Sequence, residues 1–206
     1  MKRILILFLA LLLLPFSLLA CKDEEAPPAT VGDPTNFVEV EMADGAKFVI
    51  ELYPDMAPKT VENFQELVSE GFYDGLTFHR VVKGFMIQGG DPNGDGISDG
   101  KEETIRGEFA SNGFTQNTLK HERGVISMAR TSAPDSASTQ FFIMHADKEH
   151  LDGNYAAFGR VISGMETVDA IANVAVTYND YGTEISSPVE PVVIKTMRFL
   201  ESAPAA

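Results

Sequence analysis

Arg80 and Gln88 are the residues whose types and spacing most directly offer chemistry. They stand in the run Phe78-His79-Arg80-Val81-Val82-Lys83-Gly84-Phe85-Met86-Ile87-Gln88-Gly89-Gly90-Asp91, where a hairpin would bring the two side chains together. A guanidinium keeps its charge and offers several donors in one plane. Steadied by an amide among large apolar groups, it can stabilise charge or a lone pair that appears during a reaction. Other chemistries are less well supplied. The stretch from Asp91 to Glu102 fits the calcium-loop pattern D-x-[DN]-x-[DN]-G-x5-E, with oxygen ligands at Asp91, Asn93, Asp95, Asp99 and Glu102. It follows a predicted strand rather than a helix, however, and Ser98 stands where such loops carry an aliphatic residue, so the expectation is no metal and no cofactor. His145 and His150 are five apart and share no helical face, while His79 and His121 have no nearby Cys or acidic ligand pattern. Ser127, Ser132, Ser136 and Ser138 lie in no G-x-S-x-G elbow, which argues against a Ser/His/Asp hydrolase.

The elements that must position Arg80 and Gln88 read as mostly strands. Val38, Val40 and Met42 alternate with Glu39 and Glu41, Asp44-Gly45 marks a tight turn, and 48–53 returns as a second strand. Pro58 opens a helix with Val61, Phe64, Leu67 and Val68 on one face and Gly71 as its stop; a second short helix is expected at 165–174. Short β-branched and aromatic runs follow at 76–82, 85–88, 124–129, 140–145, 157–162 and 192–199. This pattern predicts a mainly β fold, a closed antiparallel eight-stranded β-barrel capped by two α-helices, with His79 in the barrel wall. No repeat and no second domain is evident.

Four motifs, in order, make the chain resemble the cyclophilin family of peptidyl-prolyl cis-trans isomerases. They are the run from Phe78 to Asp91, then Val125-Ile126-Ser127-Met128-Ala129, Ser138-Thr139-Gln140-Phe141-Phe142-Ile143, and Leu151-Asp152-Gly153 through Phe158-Gly159. The resemblance spans about 36–200. It implies that Arg80 is the catalytic residue and that Gln88 orients it and the substrate carbonyl. It also implies that Phe85, Met86, Phe142 and Leu151 form a proline pocket, and that Ala129 and Gln140 line the peptide groove. Taken singly, Phe85, Phe142 and Leu151 read as plain core. Two positions depart from the family. His150 stands where many members have Trp, and Tyr155 where His is common. That Trp is associated with tight cyclosporin binding, so the resemblance gives no ground to expect drug sensitivity in this chain. Tyr155 still offers an aromatic wall and a hydroxyl to the site.

The resemblance implies acceleration of X-Pro bond rotation, with proline-containing polypeptides as partners. The rival reading is a non-catalytic chaperone module that binds proline segments. Arg80 and Gln88 together favour the enzyme, because binding alone would not need the cation.

The ends of the chain bear on location. Lys2-Arg3 precedes the apolar run 4–14 and Pro15, and Leu18-Leu19-Ala20-Cys21 resembles a bacterial lipobox. The expected organisation is a lipoprotein signal peptide at 1–20, a lipid-anchored tether at 21–35, the isomerase domain at 36–200 and a disordered tail at 201–206. An uncleaved span is the alternative, but the run is short of the roughly 20 residues a membrane helix needs. Cys21 is the single cysteine and cannot form an internal disulfide; acylation of its thiol explains its presence in an exported chain. With 30 acidic against 16 basic residues the net charge is −14, which repels phosphate backbones and argues against nucleic-acid partners. The protein is thus expected to be a monomer, extracytoplasmic and lipid-anchored to the bacterial cell membrane.

Overall fold

A computed structural model describes residues 34–97 and 100–204. The leader at 1–20, Cys21, the tether as far as residue 33, Ser98, Asp99 and the last two residues lie outside that range. Strands β1 (Phe37–Met42) and β2 (Lys47–Leu52) form the expected hairpin. Its turn holds because Gly45 takes φ +86, a left-handed conformation that a Cβ disfavours. The Asp44 carboxylate accepts the Ala46 N–H at 3.0 Å.

Helix α1 (Pro58–Ser69) starts at a proline whose missing N–H would have been unpaired anyway. Val61, Phe64 and Val68 enter the core. Its cap comes from far along the chain. Glu108, only 2% exposed, accepts the N–H groups of Lys59 and Thr60 at 3.0 and 2.8 Å and the Thr60 hydroxyl at 2.8 Å. A carboxylate there also meets the positive end of the helix dipole.

The remaining elements are β3 (Arg80–Val82), β4 (Met86–Gly89), β5 (Val125–Met128), β6 (Phe141–Met144), β7 (Ala157–Ser163), α2 (Met165–Ala172), β8 (Val176–Tyr178), β9 (Ile185–Pro188) and β10 (Ile194–Leu200). Eight strands make one antiparallel sheet in the order β10-β1-β2-β7-β5-β6-β4-β3. The barrel is not closed, contrary to expectation: the sheet is an open, curled half-barrel with β3 and β10 as its edges. The run expected as a strand from residue 76 is irregular until Arg80, so the edges meet only at a bridge between Thr77 and Val193. There the N–H of Ile194 donates to the Leu76 carbonyl and that of Phe78 to the Val192 carbonyl, at 2.8 and 2.9 Å. The β8–β9 hairpin, not expected from the sequence, lies against β3 and covers that edge. Residues 201–204 are exposed and without regular structure.

Strand alternation splits the apolar residues between two faces. One face of the curl, with α1, α2 and the Phe64, Tyr73, Phe78, Phe141 and Phe158 rings, forms the main core. A second, smaller cluster of Met86, Val125, Phe142, Met144, Leu151 and Ala157 forms apart from it.

Candidate active site

Strand register builds a row of side chains across four strands. Arg80 pairs with Gln88, Gln88 with Phe142, and Phe142 with Ser127. Their neighbours Ile87, Ile143, Ile126, Phe141 and Met128 belong to the main core, so the row faces away from it. Gly84, at φ +78, makes the turn that sets Arg80 opposite Gln88.

The polar part of the row is continuous. Arg80 Nη1 donates to Gln88 Oε1 at 3.2 Å, and Gln88 Nε2 donates to Gln140 Oε1 at 2.9 Å. Met86 Sδ lies 4.0 Å from the same Nη1, and the guanidinium sits 5.9 Å from the centre of the Phe85 ring. Met86, Phe142 and Leu151 are buried in the smaller apolar cluster, against which Phe85, Ala129 and Tyr155 pack. The residues singled out for catalysis and for the pocket therefore lie on one face of the sheet, in the smaller apolar cluster or along the polar row beside it. His150 is exposed at its rim, its ring 6.3 Å from that of Phe85.

Three supports went unnoticed in the sequence. Glu184 pairs with Arg80 through Nε at 2.6 Å and Nη2 at 2.9 Å. Its carboxyl is held below the usual range by the Arg80 hydrogen bonds, against a partial burial that raises it, with help from the Ser186 hydroxyl. A β-branched and aromatic run before Asp180-Tyr181-Gly182 could have signalled the hairpin that carries it. Arg130 packs on Tyr155: its guanidinium lies 4.6 Å from the Tyr155 ring and 4.9 Å from that of Phe109. Phe142 meets Tyr155 edge-on at 5.7 Å.

The third support is His121. Its Nδ1 lies 3.1 Å from Asp152 Oδ1, and its Nε2 3.1 Å from the Ser127 hydroxyl. That is the order of a hydrolytic triad, yet Ser127 has no exposed surface, so no substrate carbonyl can reach it. The arrangement is scaffolding. Burial lowers the His121 pKa, only partly offset by Asp152, so the imidazole is neutral at neutral pH. With Asp152 ionised, Nδ1–H donates to it and Nε2 accepts the serine hydroxyl. The ring then stacks on Phe142 at 6.1 Å and steadies the groove wall.

Among the described residues the calcium pattern does not gather into a site. The Asp91 carboxylate, 2% exposed, accepts the N–H groups of Asn93 at 3.2 Å and Gly96 at 2.7 Å, and Asp95 accepts that of Ile97 at 2.8 Å. Glu102 lines a cleft beside α1 instead. Among the described residues no three His, Cys, Asp or Glu side chains converge as metal ligands. Asp99 lies outside them. A larger apolar cleft of about 530 Å³, between α2 and the chain entering β10, shares no residue with the Arg80 groove.

Residues 37–199 match the family described as cyclophilin type peptidyl-prolyl cis-trans isomerase/CLD. The chain is 47% identical over 132 residues to peptidyl-prolyl cis-trans isomerase B of Bacillus subtilis, covering 64% of this chain and 87% of that one. It is 45% identical over 155 residues to a peptidyl-prolyl cis-trans isomerase of Acinetobacter baylyi, covering 73% and 78%. Among solved structures, a cyclophilin type peptidyl-prolyl cis-trans isomerase of Cryptosporidium parvum superposes with a TM-score of 0.69 at 30% identity, over 82% of this chain and 99% of that one. The same parasite protein was also crystallised in the presence of the dipeptide Ala-Pro.

Proposed function

The chain belongs to the cyclophilin-type peptidyl-prolyl cis-trans isomerase family and is such an isomerase; from that premise we propose that Arg80 is its catalytic residue, acting on X-Pro bonds of exported proteins from a lipid anchor on Cys21. The observation that carries the site reading is the Arg80–Gln88–Gln140 chain of hydrogen bonds at the lip of an apolar cluster.

Turning an X-Pro bond breaks conjugation, and the amide barrier is about 18–20 kcal/mol. Left alone, exchange takes tens to hundreds of seconds. No covalent bond need form. In the twisted amide the prolyl nitrogen regains a lone pair, which a guanidinium N–H of Arg80 can donate to. Neither planar ground state offers that lone pair, so the interaction lowers the barrier rather than merely tightening binding. Met86, Phe142 and Leu151, with Phe85 and Tyr155 at the margin, grip the pyrrolidine ring. Ala129 and Gln140 flank the peptide, and Gln88 holds Arg80 in place. The Ala-Pro dipeptide used with the parasite relative supports a proline-containing polypeptide as substrate.

Export and anchoring rest on the sequence: the basic start, the apolar run and the lone Cys21 after Leu18-Leu19-Ala20. Among the described residues no helix is long and apolar enough to cross a membrane, and the leader lies outside them. An acidic monomer held above an anionic bilayer by one lipidated residue fits the charge. Folding of exported chains, whose proline steps are slow, is the role such a placement serves. In an isomerisation assay on a proline peptide, Arg80→Ala should lose on the order of 100-fold in kcat/KM with an unchanged fold. Unchanged turnover would remove Arg80 from the mechanism. Mass spectrometry of the membrane-extracted N-terminus should find a lipidated Cys21; an unmodified thiol there would refute the anchor.

A further inference from the structure

The mechanism above makes no use of Glu184, although that residue makes the shortest polar contact of Arg80. The β8–β9 hairpin delivers it, lying against β3. The backbone that carries the carboxylate is fixed independently of Arg80. Asn179 Oδ1 accepts the N–H groups of Thr183 and Glu184 at 2.9 and 3.3 Å, and the Asn179 N–H donates to the Glu184 carbonyl at 2.8 Å. The Ser186 hydroxyl, on a residue 1% exposed, also bonds the carboxylate. A carboxylate on this anchored hairpin thus engages Nε and Nη2 as a fork, which fixes both the plane and the rotation of the guanidinium. Nη1 is left on the side of Gln88 and Met86, towards the groove.

We propose that Glu184 is a positioning residue for isomerisation, holding the Arg80 guanidinium so that its Nη1 edge addresses the twisted prolyl amide. The inference rests on the reading of Arg80 as the catalytic residue. Two effects of the carboxylate oppose each other: its charge offsets part of the field that Arg80 projects, and its geometry removes the rotational freedom of a long side chain. The pair is about a third exposed, at 35% and 36%, so water screens the charge effect. Orientation is not screened, and an arginine left loose would spend much of its time in unproductive rotamers.

The test measures kcat and KM for a proline peptide with the full-length chain. Glu184→Gln keeps the side-chain size but loses the fork, and kcat should fall about tenfold with KM within about twofold. Glu184→Asp should recover part of the loss, since the carboxylate survives one methylene shorter. In an Arg80→Ala background, Glu184→Gln should change nothing. Wild-type or higher kcat in Glu184→Gln would overturn the proposal. So would the same proportional loss with and without Arg80, which would mark a general disturbance of the fold. If Arg80→Ala alone kept full activity, the reading of the site itself would fall as well.

Discussion

Gln88 holds two neighbours at once, accepting from Arg80 and donating to Gln140. Gln88→Leu keeps much of the volume but frees both partners, and kcat/KM should fall about tenfold, equivalent to about 1.4 kcal/mol. Unaltered steady-state kinetics would show that Arg80 needs no partner on this side. Two histidines set a response to acid. Burial lowers the pKa of both His79 and His121 from the ordinary 6.5, while nearby carboxylates pull each back up. Below 6.5 the unfolded chain binds protons that the folded chain resists, so stability falls with pH from there until the lowered folded values are passed. Glu184 and Asp152, both lowered, act the same way further down: their contribution is present above the ordinary carboxylate range and lost as pH falls through their folded values. Thermal unfolding between pH 8 and 4 should therefore show a Tm that declines from near pH 6.5 downward. Among the described residues neither ring nitrogen of His79, both buried, has a hydrogen-bond partner. His79→Leu should raise Tm at pH 5 and flatten the slope, because a buried unpaired polar group costs roughly 1–3 kcal/mol; a steeper slope would contradict this.

The start of helix α1 is capped by one buried carboxylate, that of Glu108. Glu108→Ala would strip three donors of their acceptor, and we expect a loss of about 2 kcal/mol, or roughly 4–8 °C in Tm. Turnover per folded molecule should not change, since Glu108 does not touch the groove. At this scale much was legible. The β1–β2 hairpin follows from alternation and Asp44-Gly45, α1 from Pro58 and its apolar stripe, and the Arg80–Gln88 pairing from a turn at Gly84. The β8–β9 hairpin left only a short β-branched and aromatic run before its turn as a signal. Tyr178 and Ile185 are 59% and 53% exposed, so its strands lack the alternation that burial writes into a sequence. Glu184 was missed with it. Closure of the sheet was illegible for a different reason: alternation places a strand on a sheet but does not say whether two edges will meet. The groove residues were legible only through their resemblance to a family, since Phe142 and Leu151 alone look like any core residue.

The described residues form one open half-barrel, with the main core on one face of the sheet and the proposed site on the opposite face of β3, β4, β6 and β5. The hairpin that covers the β3 edge thereby reaches the site, so protecting the sheet and steadying Arg80 are served by one element. If the N-terminus carries the anchor, location and catalysis are separable. Cys21→Ser should move the protein from the membrane fraction to the soluble fraction while leaving turnover of a small proline peptide unchanged. Retention in the membrane would point to an uncleaved span instead. The central claim is that Arg80 acts on the twisted amide rather than on binding. Exchange spectroscopy by NMR tests it most directly, because one sample of a proline peptide reports both the affinity and the cis/trans exchange rate on the enzyme. Arg80→Ala should still bind the peptide within a few-fold of wild type while catalysed exchange falls by about 100-fold. Affinity and exchange lost in equal proportion, or exchange left intact, would contradict the account.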